Sequence, residues 1–191
     1  MIIKDPEVAK LFADETRRRM LHLLSHNEMS TTDLAKTLDK THSSIQHHLV
    51  LLIDAGLVKQ TREEKVRNMV QPYFKATSHR FMISYSLSEV LAKDDGYLMW
   101  RDDMIRGIYS GLNTFGVGVS EEFKGRVLEL VDICYEREKK AIEEAIEQQK
   151  DPGELEKSIQ GPLIRLMAQL KLAQDAEHTA AIQELSKLIG P

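Results

Sequence analysis

The sequence predicts a mainly α protein with a small β wing. Three observations carry that prediction. Apolar residues recur at three- and four-residue steps through most of the chain, including the whole stretch beyond Ala92. Short polar cap-forming residues stand before these runs. Residues 57–75 break the helical period and read as two β-type runs around a charged centre.

Asp5-Pro6 opens a helix, with Asp as cap and Pro in the first turn, and Val8, Leu11 and Phe12 give it an apolar stripe. Asp14 caps a second helix whose Met20, Leu21, Leu23 and Leu24 face inward, and Asn27 ends it. Residues 28–30 read as a short strand. Thr31 or Thr32 caps a third helix with Leu34, Ala35 and Leu38 at helical spacing, and Asp39-Lys40 is the turn after it. Thr41 caps a fourth helix, in which Ile45, Leu49, Leu52 and Ile53 repeat, and Gly56 stands where a left-handed C-cap belongs. Residues 57–61 and 69–75 read as strands joined by a charged loop, 62–68, with Pro72 favouring an exposed edge. Phe81, Ile83, Tyr85 and Leu87 alternate as in a short strand, with a helix as the alternative.

Asp94-Asp95 starts a helix to about Leu112, with Leu98, Ile105, Ile108 and Leu112 on one side. Gly116-Val117-Gly118 breaks the pattern. A long helix then runs from Ser120 to about Gln149 on a stripe of Phe123, Val127, Leu130, Cys134, Ala141 and Ala145. Asp151-Pro152-Gly153-Glu154 is a further cap signal, and Gly161-Pro162 interrupts or kinks the last helical region, which ends near Leu188. Two short helices about a tight turn, followed by a strand pair, give the order of a winged helix-turn-helix. The division expected is a winged DNA-binding domain over residues 1–80 and a helical dimerisation and possible effector region over residues 81–191.

Composition narrows the classes. Of the 191 residues 42% are hydrophobic, which suits a folded domain, and no window approaches a membrane span. The first ten residues lack the apolar run and cleavage site of a signal peptide, so a cytoplasmic home is the expectation. The single Cys134 cannot form an internal disulfide or build a zinc site alone. Net charge is −4, but residues 1–80 hold 13 Lys+Arg against 10 Asp+Glu, and the rest hold 13 against 20. A mildly basic N-terminal part can grip phosphates beside an acidic body. No phosphate loop, G-x-S-x-G or H-E-x-x-H is present, so no enzyme is expected.

Residues 14–77 resemble the winged-helix domain of the ArsR-type bacterial and archaeal repressors. The matching pieces are D-E-T-R-R-R-M-L-H-L-L, M-S-T-T-D-L-A-K-T-L and T-H-S-S-I-Q-H-H-L-V-L-L-I-D-A-G-L-V. The resemblance implies that the third piece carries the recognition helix and that A-G-L-V opens the wing. It covers about a third of the chain; the helical remainder looks like an archaeal subgroup with a long extension, with no motif to match. Metal-sensing members carry a Cys-x-Cys near the third helix, where this chain has Met29-Ser30-Thr31-Thr32-Asp33, and the family's other metal site uses Asp and His on a C-terminal helix, where only His178 is found. Neither a metal nor a cofactor is therefore expected, and the inducing signal stays open.

With Ile45, Leu49 and Leu52 turned to the core, His42, Ser43, Gln46 and His47 fall on the outer N-terminal face of the fourth helix, the part that meets bases in a major groove. Gln46 can pair with adenine N6 and N7, the serine can reach several base edges, and the histidines can donate to guanine or to phosphate. The bland alternative is a solvated polar face. His48 lies nearer the core, where a structural hydrogen bond is as good a reading. Thr31, Thr32, Ser44, Arg62, Lys65 and Arg67 are the expected backbone contacts. Glu63 and Glu64 interrupt the basic run, and a solvated hairpin tip is the alternative there. Arg17, Arg18 and Arg19 cannot all face one way, so one or two should pair with Asp14 or Glu15. Cys134 reads as a buried small hydrophobe rather than a redox thiol. Tyr97, Trp100, Tyr109 and Phe115 read as core before effector pocket, and 136–147 as a solvated face with pairs such as Glu136–Lys140.

The function expected is a sequence-specific DNA-binding transcriptional regulator, a homodimeric repressor reading a pseudo-palindrome in double-stranded DNA. The alternative is a winged-helix protein-interaction module without specific DNA binding.

Overall fold

The computed structural model describes residues 1–66, 69–150 and 156–189. Arg67 and the cap signal at 151–154 lie outside them. The chain divides into two compact units, residues 1–83 with 89–100, and residues 84–88 with 101–191.

The first unit opens with β1 (Ile2–Ile3) and α1 (Pro6–Lys10), capped by the Asp5 carboxylate, which accepts from the N–H groups of Glu7 and Val8. Asp14 caps α2 (Glu15–His26) through the Arg17 N–H. Two of the three consecutive arginines turn back instead of out. Arg17 Nε donates to the Leu11 carbonyl at 2.6 Å, and Arg18 donates to the carbonyls of Phe12 and Ala13 at 2.6 and 2.8 Å. They satisfy the carbonyls that the turn at 11–13 leaves open. Two make the expected pairs as well, Arg17 with Asp14 and Arg19 with Glu15, each at 3.9 Å.

After β2 (Met29–Ser30) comes α3 (Thr31–Leu38), and its cap differs from the expectation. Ser30, not Thr31 or Thr32, is the N-cap. Its hydroxyl accepts from the Asp33 N–H while the Asp33 carboxylate accepts from Ser30, a closed capping box. Asp33 is the reason, because only the residue three before it can make the reciprocal bond. Asp39 then takes the left-handed conformation at φ 52°, and Thr41 caps α4 (His42–Asp54). Met20, Leu21, Leu24, Leu34, Leu38, Ile45, Leu49 and Leu52 are buried. Leu23 and Ala35 are half-buried and Ile53 is exposed, because the buried arc of each helix is narrower than its apolar composition.

Gly56 ends α4 at φ 68°, a conformation costly for other residues. β3 (Val58–Val66) and β4 (Met69–Ala76) form an antiparallel hairpin. The expected loop 62–68 is thus largely strand, with Arg62 opposite Tyr73 and Lys65 opposite Val70. β4 is the middle strand, but β2 meets only Tyr73 and Phe74, so Pro72 still lies where β4 has a single partner. β5 (Met82–Ile83) pairs in parallel with β1, so the alternation at 81–87 makes a two-residue strand and then a single tight turn.

In the second unit, α5 (Ser88–Leu91) and α6 (Asp95–Gly111) straddle the division of the chain, and only their residues 88 and 101–111 belong here. Ile105 packs with Val127 and Val131, whereas Ile108 is exposed, so the single stripe expected on α6 does not hold. α7 (Lys124–Glu147) starts four residues later than expected, and Phe123 is exposed ahead of it. α8 (Lys157–Leu172) and α9 (Ala176–Leu188) both pack on α7. Gly161-Pro162 does not divide them: Pro162 lies inside α8, near enough to its start that little of the hydrogen-bond ladder is lost. The break falls before α9, where Asp175 caps the His178 N–H. Cys134 is buried with Leu130 and Ala181, and burial pushes its thiol pKa up.

The α7 face expected to be solvated is only partly so. Lys139 is 5% exposed and Glu143 7%. Glu143 accepts from the Ser84 hydroxyl and from the Tyr85 N–H at 2.6 Å. Glu136 accepts from Ser88 at 2.8 Å and pairs with Lys139 at 3.5 Å and Arg101 at 3.4 Å, rather than with Lys140. These carboxylates hold the segment 84–88 against α7.

Candidate nucleic-acid interface

α4 is positioned by Ile45, Leu49 and Leu52, which anchor one side and fix what the other presents. His42, Ser43, Gln46 and His47 are all exposed, and Ser44 is half-buried. The start of α3, the start of α4 and strand β4 border one cleft of about 320 Å³, lined by Thr31, Thr32, His42, Gln46, Val70 and Gln71 among others. Four predicted residues from two helices therefore share one surface with the hairpin.

Within that surface the roles separate. Thr31, expected at the DNA backbone, is instead 6% exposed, and its hydroxyl donates to Gln46 Oε1 at 3.4 Å. Thr32 is exposed beside it. Arg62 is engaged on three sides. Its Nε donates to Glu28 at 3.0 Å, its Nη1 pairs with Glu64, and its guanidinium lies 3.8 Å from the centre of the Tyr73 ring. Bonding to Arg62 holds the Glu28 and Glu64 carboxyls below their usual range. Lys65 is exposed, and no ion pair to it is found among the described residues. Met69, 75% exposed, and Val70 make the hairpin beside it apolar. The sequence reading passed over Glu28, Tyr73, Met69 and Val70. The register across the hairpin brings the first two to Arg62, and only the alternation within 69–75 hinted at it.

His48 turns away from this surface. Its Nδ1 is buried without a hydrogen-bond partner, 3.9 Å from Asp14, and burial lowers its pKa against the smaller pull of Asp14. Desolvation outweighs the long ion pair, and the neutral ring is the favoured form. The four aromatics read as core differ in their packing. Tyr97 packs edge-on against Trp100, Tyr109 packs near Ile105, and Phe115 is 85% exposed. A cleft of about 460 Å³ among α7, α8 and α9 is lined instead by charged residues already paired, Arg137 with Asp175 and Lys171 with Glu144. Among the described residues no group of three His, Cys, Asp or Glu side chains is placed to hold a metal. No helix of the described residues is long and apolar enough to cross a membrane.

Comparison with known proteins follows the same segment. A helix-turn-helix domain family matches residues 12–61. An uncharacterized HTH-type transcriptional regulator of Methanocaldococcus jannaschii is 39% identical over 61 residues, 31% of this chain and 68% of that protein. The chain belongs to the ArsR-type helix-turn-helix transcriptional regulators. The arsenical resistance operon repressor of Escherichia coli is 35% identical over 72 residues, 37% of this chain and 62% of the repressor. The chain thus spans about two thirds of these relatives, and they match about a third of it. The structure of reduced HlyU from Vibrio cholerae aligns with 37% of this chain and 70% of its own at 28% identity and a TM-score of 0.33. As an ArsR-type regulator the chain is a DNA-binding transcriptional regulator, with a winged helix followed by a helical region.

Proposed function

We propose that this regulator is a homodimeric repressor that reads a pseudo-palindromic duplex site. The observation that carries the proposal is the exposed polar start of α4 on the same cleft as Thr32 and the hairpin. His42, Ser43, Gln46 and His47 meet base edges. Thr32, Ser44 and Lys65 hold phosphates on either side, and the sequence assigns Arg67 the same role. Thr31 orients Gln46 from below. Arg62 reaches phosphate only by leaving Glu28 and Glu64, so it contributes less. One α4 reads one half-site, and a second copy supplies the other about one helical turn away. Bound protein then blocks polymerase access. The E. coli relative, named as an operon repressor, supports the direction of regulation.

Selection of random duplex DNA, run in parallel with Gln46→Ala/His47→Ala protein, tests the assignment. A two-fold-symmetric motif recovered only by the unaltered protein is expected. Equal enrichment by both proteins overturns the base-reading assignment. No salt-sensitive duplex binding at all would favour a protein-interaction module.

A further inference from the structure

α8 carries two apolar stripes, and α7 covers one of them. The covered stripe, Ile164, Ala168 and Leu172, packs on Ala141, Ile142 and Ala145. The second stripe is Ile159, Leu163, Leu166, Met167 and Leu170, each between 37% and 52% exposed. Its steps alternate four and three residues from 159 through 163 and 166 to 170, which is the spacing of a coiled-coil seam. Between Ser158 and Leu170 the only charged residue is Arg165, in a chain that is 29% charged. A helix apolar on opposite sides belongs inside a protein or an interface, not on a solvated face.

We propose that α8 pairs with α8 of a second copy of this chain, antiparallel, with Leu166 and Met167 at the two-fold axis. The proposal rests on the homodimer reading above and names its contact. Two features select a second copy as the occupant. First, the stripe is self-complementary: reversed about the point between Leu166 and Met167, Leu163 meets Leu170 of the other copy, as an isologous contact requires. Second, the area matches. Five half-exposed apolar side chains offer roughly 450 Å² per copy, so a pair approaches the ~1,000 Å² at which a specific interface begins. A contact of that size gives a reversible dimer that two DNA half-sites strengthen.

Sedimentation of the full chain with and without Leu166→Glu/Leu170→Glu tests this. Both positions are exposed, so the variant keeps the native circular dichroism. The expected result is a dimer for the unaltered chain and a monomer for the variant, with at least a tenfold weaker grip on a two-half-site duplex and unchanged affinity for one half-site. Oxidation of a Leu166→Cys/Cys134→Ala chain should link the two copies, and Ile159→Cys/Cys134→Ala should not, because antiparallel helices hold those ends apart. A dimer that survives the glutamates, or that links at 159 and not at 166, overturns the α8 contact alone. An unaltered chain that is monomeric both free and on its selected DNA overturns the contact and the homodimer reading together.

Discussion

Thr31 Oγ1 donates to Gln46 Oε1 across 3.4 Å, joining the start of α3 to the outer face of α4. The bond engages one of the two lone pairs of Oε1 and leaves the other, with the NH₂ group, for a base, so the hydroxyl steadies the plane of the amide that reads. Thr31→Val keeps the shape of the side chain and removes the donor. A net loss of about 0.5–1.5 kcal/mol, roughly 2- to 13-fold, is expected on the selected site, with little change on random duplex. Equal losses on both, measured by titration at fixed salt, would show that Thr31 does not orient the reader.

The capping box makes a sharper stability prediction. Ser30→Ala leaves the Asp33 N–H without its acceptor, while the Asp33 carboxylate keeps the Ser30 N–H and loses only the hydroxyl, and should cost about 1 kcal/mol in urea unfolding. Thr32→Ala should cost almost nothing. The same bonds hold the Asp33 carboxyl below its usual range. Its contribution is therefore present above pH 3.8 and is lost as pH falls below that value towards the depressed folded pKa.

His48 predicts a loss in the same direction, but at milder pH. Its folded pKa lies below the ordinary 6.5, chiefly through burial. Between those two values the unfolded chain binds more protons than the folded one, so stability rises with pH through that window and is lost on acidification below about 6.5. His48→Gln should flatten the slope of stability between pH 5 and 7. An unchanged slope would assign it to another group.

The wing residues should separate in salt. Each released phosphate contact changes the slope of log K against log salt by about 0.9. Lys65→Ala should flatten the slope by about one such step. Arg62→Ala should change it less, since Arg62 is already held by Glu28 and Glu64. The reverse order, read from binding between 50 and 200 mM salt, would mean that DNA displaces both carboxylates from Arg62.

Glu143 is the most exacting residue of the helical unit. Glu143→Ala removes the acceptor of the Tyr85 N–H and leaves the Ser84 hydroxyl only Ser86 Oγ, at 2.7 Å, and a loss of about 2–3 kcal/mol is expected. Ser84→Ala, which removes only one donor, should cost about 1 kcal/mol. Chemical unfolding of both variants checks the ranking.

The parts legible in the sequence are those set by neighbours along the chain. Asp5, Asp14 and Thr41 cap the helices assigned to them, and Gly56 takes its left-handed turn, because each depends on residues within four positions. The outer face of α4 followed from the burial of Ile45, Leu49 and Leu52. What the sequence hid lies in long-range partners. Nothing local shows that Arg62 lies against Glu28, 34 residues away, or that Glu143 serves Ser84 and Tyr85. The helical period likewise places Leu166 and Ala168 on faces of α8 without saying which one α7 will cover.

Ser30, Thr31 and Thr32 are three adjacent hydroxyls with three separate employments: one closes a helix, one steers a side chain on another helix, and one faces solvent. Their identities overlap so closely that almost any permutation would look neutral on paper. Position is what distinguishes them. Deleting a single residue ahead of α3 would shift each by one helical step, about 100°, and hand every hydroxyl its neighbour's place. This stretch should therefore tolerate exchanges of Ser for Thr far better than any change in length.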